Sequence, residues 1–124
     1  MFEFSTPDQG DRFDLATDPL MVAKSEDASI LGCGRLRPYD DFCEIARMAV
    51  AEDVRANGIG RAIVSRLLEQ YSGTIYLICE DEVVEFFRRF EFELTPEAEM
   101  PSGLRPKWDI FRPAAGSMNL MRRG

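Results

Sequence analysis

The sequence predicts an α/β (α+β) fold, with a mixed β-sheet built around a central strand-helix-strand unit. A mostly apolar run at 42–50 is followed by an apolar stripe at helical spacing over 59–71 and then by a second apolar run at 74–79. Gly73 ends the helical run. Because a helix joins the two strands, we expect them to run parallel through a right-handed crossover.

Length and composition predict one soluble domain covering residues 1–124. Apolar residues make up 45% of the chain, and no apolar run approaches the roughly 20 residues of a membrane span. The first residues lack the features of a signal peptide, so we expect a cytoplasmic protein without a membrane partner. The net charge of −7 argues against a nucleic-acid partner, which requires a basic surface.

The chain has few of the side chains that most often act as nucleophiles, bases or metal ligands. Cys33, Cys43 and Cys79 have neither the spacing of a disulfide framework nor that of a zinc site, and we interpret them as small buried residues on strands. The chain has no histidine, and we expect no metal site. Acid-base chemistry must therefore use Glu, Asp, Tyr, Lys, Cys or water.

The first half of the chain predicts three strands. The polar segment before Pro19 offers at most a short strand and a helical turn. Leu20–Lys24 and Ser29–Arg37 flank a turn-forming segment and predict a β-hairpin. Phe42–Val50 is mostly apolar, which is typical of a central strand that is buried on both faces.

The second half predicts two helices with strands between and after them. The long segment Thr95–Pro113 contains four prolines and predicts an irregular functional loop or cover, in which Trp108 either anchors the loop or lines an acceptor pocket. The regular elements predicted here are a helix at Ile59–Tyr71, a strand at Thr74–Cys79, a helix at Glu80–Phe90, a short strand at Glu91–Leu94 and a closing strand at Ser117–Met121.

The turn between the first strand and helix of the central unit has the character of an anion site. It contains Gly58 and Gly60, which let the backbone approach a phosphate closely. The free N–H groups and the positive end of the following helix dipole point at the turn. An ordinary strand-to-helix turn is the alternative interpretation.

The pattern Arg55-x-x-Gly58-x-Gly60 resembles the Q/R-x-x-G-x-G/A signature of the GNAT N-acetyltransferase superfamily. The element order is similar to the GNAT core over roughly Leu20 to Arg122. This resemblance implies that acetyl-CoA is the acetyl donor and that its pyrophosphate binds at the turn. The residues implied are Arg55, Ala56, Asn57, Gly58, Ile59, Gly60 and Arg61.

Two further segments resemble the family. The strand end Met48-Ala49-Val50 would pair with the pantetheine arm, and the Met48 N–H would stabilise the oxyanion of the tetrahedral intermediate. The segment 86–92 is similar to the family's F-Y-x-x-x-G-F segment, and the resemblance implies that Phe87 packs along pantetheine. Phe87 replaces a tyrosine and Glu91 a glycine, so the usual hydroxyl for reprotonating the thiolate is missing.

Glu44 lies where histone-type members of the family carry their general-base glutamate, on an otherwise apolar strand. Desolvation increases the affinity of a buried carboxylate for a proton, which suits a base that deprotonates an ammonium group. As an alternative, Glu44 points to solvent or pairs with Arg35 or Arg47.

The resemblance implies an N-acetyltransferase that moves an acetyl group from acetyl-CoA to a primary amine, on a small molecule or a protein, in a ternary complex. The alternative is a weakly active or inactive CoA-binding regulatory protein on the same fold. It is favoured by the missing tyrosine and by an N-terminal region too short for the usual two helices beside the acceptor site. The exposed edges of a small sheet also permit a homodimer.

Overall fold

A computed structural model describes residues 2–5, 20–25, 30–50, 58–115 and 118–124, and their backbone forms two compact units. The first unit combines Met1–Pro38 with Cys43–Ser72, and the second combines Tyr39–Phe42 with Gly73–Gly124. Each unit is described below by its own strands, helices and core.

The first unit contains a four-stranded antiparallel sheet in the order of the chain. The predicted hairpin is confirmed, because its two strands pair from Leu20 opposite Arg35 to Lys24 opposite Ile30. The strands are β1 (Phe2–Ser5), β2 (Leu20–Ser25), β3 (Ile30–Pro38) and β4 (Cys43–Val50).

Helix α1 (Ile59–Glu69) packs against β2, β3 and β4. Its buried side chains recur at the predicted spacing of three and four residues, which confirms the helix and its apolar face, although the helix ends at Glu69 rather than at the predicted Tyr71. Burial of this stripe holds the helix, and therefore its N-terminus, against the sheet. The buried residues are Ile59, Ile63, Val64 and Leu67.

The second unit contains a three-stranded antiparallel sheet in which the last strand of the chain lies in the middle. Two helices flank the short strand in the sequence. The elements are β5 (Ile75–Glu80), α2 (Val84–Arg88), β6 (Glu93–Leu94), α3 (Arg105–Ala115) and β7 (Met118–Arg123).

Two predicted elements of this unit differ from the structure. The helix expected over Glu80–Phe90 is divided into a 3₁₀ turn at Asp81–Val83 and the short α2, because Val83 has non-helical dihedrals of φ −108° and ψ 3°. The segment Thr95–Pro113 is not irregular throughout, since α3 begins at Arg105. Pro106 lies in the first turn of α3, where a missing N–H costs nothing.

The core of the second unit is aromatic. Tyr39 stacks on Phe42 with ring centroids 4.5 Å apart, and Phe42 meets Tyr76 edge to face at 5.3 Å. Two further residues belong to this core: Trp108 from α3 and the fully buried Leu104 from the turn before α3. Among the described helices, none is both long and apolar enough to cross a bilayer.

Candidate functional site

The described part of the glycine turn has the geometry of a phosphate-binding helix start. Gly58 adopts the left-handed conformation, with φ 78° and ψ 11°, and its carbonyl accepts the first helical hydrogen bond from the Ala62 N–H at 3.0 Å. A Cβ added at Gly58 would meet nothing within 4 Å, so glycine is favoured by the dihedral angles rather than by space. The predicted residues Arg55, Ala56 and Asn57 lie outside the described residues.

The N-terminus of α1 is also electrostatically suited to an anion. Its first turn contains no acidic residue, and no described side chain caps its N–H groups. Gly58 and Arg61 are exposed, whereas Ile59 is buried and anchors the turn. The helix dipole, the N–H groups and one guanidinium are therefore all available to a phosphate on this surface.

Strand β4 carries the predicted pantetheine-binding residues and contains a β-bulge. Because Arg35 pairs with Arg47 while Leu36 pairs with Ile45, Ala46 is the extra residue of the bulge. Bulges bend a strand and redirect the residues beyond them. This one lies between Glu44 and the strand end of residues 48–50.

The strand end itself pairs with β3 on one edge. Met48 lies opposite Gly34, Ala49 opposite Cys33 and Val50 opposite Gly32. The small residues of β3 leave room along this part of the ladder. The roles of the Met48 N–H and of the Ala49 and Val50 backbone toward acetyl-CoA stay predictions.

Glu44 is completely buried, with 0% of its surface exposed. The alternative that it points to solvent is therefore wrong. In the β3–β4 ladder its direct partner is Arg37, while Arg35 lies opposite Arg47. The hairpin register could have identified Arg37, because Pro38 opposite Cys43 places Arg37 opposite Glu44. A side-chain pair of Glu44 with Arg35 or Arg47 stays a prediction.

The aromatic segment 86–92, which starts within α2, is buried or half-buried at its phenylalanines. Phe92 is 1% exposed, as expected for a core residue, while Phe86 and Phe90 are only half-buried. Phe87 is 6% exposed and meets Phe86 and Phe92 edge to face at 5.1 and 5.8 Å. The predicted contact of Phe87 with pantetheine would use the small part of its ring that these neighbours leave open.

Glu91, which stands where the family pattern has glycine, adopts the left-handed conformation that favours glycine, with φ 71°. The Glu91 N–H donates to the Arg88 carbonyl at 3.0 Å, and the Phe92 N–H donates to the Phe87 carbonyl at 3.4 Å. These are the two hydrogen bonds of a Schellman motif, and the Phe87–Phe92 ring contact is its usual apolar partner. The helix end is thus formed despite a strained residue.

Replacing Glu91 with glycine is expected to stabilise the protein by about 1 kcal/mol, because the left-handed conformation costs a residue with a Cβ roughly 1–2 kcal/mol. Part of that gain is offset by the greater freedom of glycine in the unfolded chain. Urea unfolding measures the change. Glu93→Gly, on the exposed β6, is the matched control and should destabilise; equal destabilisation by both changes would contradict the strain argument.

The Cys79 thiol is a second group that could be considered as a proton donor to a thiolate, besides the hydroxyl that Phe87 lacks. Burial, together with the smaller effect of the neighbouring Asp81 and Glu80 charges, raises the pKa of the Cys79 thiol from 9.0 to about 11. Its Sγ lies 3.7 Å from the Met121 Sδ within the core. A thiol in water is a stronger acid than this, so proton transfer from Cys79 to a thiolate runs uphill.

The raised pKa of Cys79 predicts a loss of stability in alkali. The unfolded thiol loses its proton near pH 9, whereas the folded thiol keeps it to about pH 11. The stabilisation is therefore full below pH 9 and lost as the pH rises to 11, by roughly 2 kcal/mol. Urea unfolding at pH 8 and 10.5 should show this slope. Cys79→Ala should reduce the slope, and an unchanged slope would contradict the pKa assignment.

Trp108 has the surroundings of an anchor. It is 8% exposed within the aromatic core, and its Nε1 donates a hydrogen bond to the Glu97 carboxylate. Arg105 also approaches this carboxylate, with 3.4 Å between its nitrogen and the Glu97 oxygen. Trp108 thus joins α3 to the 3₁₀ turn Glu97–Glu99.

A groove at the β6 edge was not anticipated from the sequence. It encloses about 630 Å³ in the second unit, and its lining combines three carboxylates with one arginine. The carboxylates are spread over a helix end, a strand and a 3₁₀ turn, so no local pattern marks them. The groove is lined by Glu91, Glu93, Leu94, Thr95, Pro96, Glu99, Arg122 and Gly124.

Comparison with known proteins gives one family match. The profile of the acetyltransferase (GNAT) domain family matches residues 16–94, which is more than half of the chain and includes the glycine turn and β4. A search of curated proteins gives no significant match.

Solved structures show the same fold at low sequence identity. A GNAT family acetyltransferase from Elizabethkingia anophelis with acetyl-CoA bound has a TM-score of 0.70 at 18% identity, covering 98% of this chain and 97% of that one. Escherichia coli ElaA has a TM-score of 0.66 at 18% identity, covering 86% and 68%. These similarities confirm the predicted fold class.

N-acetylglutamate synthase from Neisseria gonorrhoeae, complexed with coenzyme A and N-acetyl-glutamate, also matches, with a TM-score of 0.70 at 19% identity. The match covers 84% of this chain and 25% of the synthase chain. The chain therefore spans about a quarter of the length of that enzyme.

Proposed function

Because the chain belongs to the GNAT acetyltransferase family, we propose that it transfers an acetyl group from acetyl-CoA to a primary amine. We further propose that residues 1–124 act as one acetyltransferase domain. The acceptor amine is carried by a small molecule or a protein. The cytoplasmic location and the homodimer stay predictions.

The observation that carries this proposal is the helix start at Gly58. A left-handed glycine, an exposed helix N-terminus without acidic residues and the exposed Arg61 form a surface that favours a pyrophosphate. We place the pyrophosphate of acetyl-CoA on the Gly58, Ile59 and Gly60 backbone and beside Arg61. Arg55, Ala56 and Asn57 would complete this cradle.

The strand end of β4 would hold the pantetheine arm and the thioester. We propose that the backbone of Met48, Ala49 and Val50 pairs with pantetheine and that Phe87 contacts the arm. The Met48 N–H would donate to the oxyanion that forms when the amine attacks the thioester carbonyl. Removing a single donor of this kind costs about 100-fold or more in other acyl transfers.

We propose that Glu44 acts as the general base. Since it is fully buried, it would take the ammonium proton through a water or a neighbouring polar group rather than by direct contact. The neutral amine then forms the C–N bond and the C–S bond breaks. The thiolate would take its proton from water, because Phe87 has no hydroxyl and Cys79 is too weak an acid.

Calorimetric titration with acetyl-CoA and with CoA tests the binding site. Gly60→Asp should reduce the affinity for both at least about tenfold, because a carboxylate at the helix start repels the pyrophosphate. The same carboxylate favours the helix dipole, so the variant should remain folded. Ser65→Asp, exposed on the same helix, is the matched control and should bind normally. Absence of binding by the unaltered protein would contradict the proposal.

Two observations favour the second candidate function, a CoA-binding regulatory protein with little catalysis. Phe87 occupies the place of the family tyrosine, and Glu44 has no surface exposed for direct contact with an amine. Both candidates require acetyl-CoA binding. An amine-dependent release of CoA distinguishes them, because the binding protein would show none.

A further inference from the structure

Two neighbouring ladder pairs, one of which contains Glu44, lie on opposite faces of the β3–β4 hairpin and differ in chemistry. Leu36 pairs with Ile45, and both are less than 5% exposed. The adjacent pair is Arg37 with Glu44. Directly opposite side chains in an antiparallel ladder lie on the same face with Cβ atoms about 4.5–5.5 Å apart. An arginine and a fully buried glutamate are therefore neighbours on one face.

A buried carboxylate without a counter-charge is costly, and a permanently charged guanidinium is the best match for it. Both Glu44 and Arg37 take part in interactions, and Arg37 is half-buried. The fork of an arginine can donate two parallel hydrogen bonds to one carboxylate, which fixes its orientation as well as its charge. The ladder thus supplies both the position and the chemistry for an ion pair.

Among the described residues of this unit, the other arginines are not opposite Glu44 in the ladder. Arg35 lies two residues along β3 and faces Arg47 on the far side of the bulge. On α1, which also packs against β4, Arg61 and Arg66 are exposed, and Arg66 lies 3.7 Å from the carboxylate of Glu69 on the same helix. Arg37 is the cation directly opposite Glu44.

We propose that Arg37 is the positioning residue of Glu44: it keeps the buried carboxylate ionised and oriented. Its catalytic consequence rests on the proposed function, in which Glu44 accepts a proton from the amine. Removing Arg37 would favour the protonated carboxyl group, which cannot act as a base. The ion pair itself can be measured without acetyl-CoA or an amine.

The first test is the ionisation of Glu44, followed by carbon-13 NMR of protein labelled at glutamate carboxyl groups. The Glu44 signal is identified by its disappearance in Glu44→Gln. At pH 7 it should have the shift of an ionised carboxylate in the unaltered protein and in Arg37→Lys. It should move to the protonated value in Arg37→Met. An ionised signal in Arg37→Met would overturn the proposal.

The second test is a stability cycle, which remains decisive if Arg37→Met is poorly folded. Arg37→Met should lower the folding equilibrium constant about 100-fold or more, because it leaves a buried charge unpaired. Adding Glu44→Gln should recover at least about tenfold of that loss. Arg66→Met is the matched surface control and should have little effect. Strictly additive effects of Arg37→Met and Glu44→Gln would overturn the pairing.

The activity test separates this proposal from the proposed function. In an active enzyme, Arg37→Met should lower kcat at least about tenfold with little change in KM for acetyl-CoA, and Arg37→Lys should recover part of the rate. An unaltered protein without turnover would refute the proposed function, while the NMR and stability tests would still decide the pairing. Full kcat in a folded Arg37→Met variant would overturn the positioning role.

Discussion

The Glu44→Gln variant is expected to acetylate amines at least about 100-fold more slowly than the unaltered protein, the range typical for loss of a general base. Glutamine has nearly the same shape as glutamate and keeps its hydrogen-bonding capacity, but it cannot take up a proton. Because Glu44 is fully buried, no other carboxylate can replace it from solvent at the same position. Acetyl-CoA should still bind, since the glycine turn is not altered.

The measurement is the rate of CoA release with a saturating amine, together with calorimetric affinity for acetyl-CoA. Glu69→Gln, exposed near the end of α1, is the matched control and should keep the full rate. Circular dichroism would establish that the Glu44 variant is folded. A folded Glu44→Gln variant with normal kcat would make Glu44 a structural residue and contradict its role as base.

The second large effect is expected at Trp108. Trp108→Ala should lower the free energy of unfolding by about 3–5 kcal/mol, the usual cost of truncating a large buried aromatic side chain. The change removes the packing between α3 and the aromatic core of Phe42 and Tyr76, and it leaves the Glu97 carboxylate without the indole donor.

Urea unfolding measures this loss, and Trp108→Phe divides it into two parts. Phenylalanine keeps most of the ring contact but cannot donate to Glu97, so it should cost about 1–2 kcal/mol. If Trp108→Ala instead left stability unchanged and raised KM for the amine, Trp108 would line the acceptor pocket, and its role as an anchor would be wrong.

Elements with a strong local signal could be predicted from the sequence. The apolar residues of α1 recur at helical spacing, and the β2–β3 hairpin is marked by two strand-like runs around a polar turn. Both were correct because the same residues that define the pattern also form the buried face. The glycine turn was predictable for a similar reason, since Gly58 adopts the conformation that favours glycine.

Features that depend on tertiary contacts could not be predicted in the same way. Four prolines in Thr95–Pro113 suggested an irregular segment, but burial of Leu104 and Trp108 outweighs them and α3 forms after Pro106 takes a first-turn position. Glu91 departs from the family pattern in residue type, but its backbone still adopts the left-handed conformation that favours glycine. Residue propensities alone predict neither the formation of α3 nor the left-handed conformation of Glu91.

The candidate site likewise has one part that local sequence signals predict and one part that depends on contacts between strands. Its proposed cofactor end depends on local geometry, which the sequence pattern encodes directly at Gly58 and Gly60. Its proposed catalytic end depends on the position of Arg37 opposite Glu44 on two strands, which requires the register of the hairpin. Recognition of the acceptor depends on surfaces that a family signature does not encode, because a fold hosts many substrates.

Amine-dependent release of CoA from acetyl-CoA, measured over a panel of primary amines that includes a lysine-containing peptide, tests the central claim most directly. We expect a rate above the amine-free background for at least one class of amine, and we expect Glu44→Gln to reduce that rate to background. Binding of acetyl-CoA without release of CoA for any amine would contradict the acetyltransferase assignment.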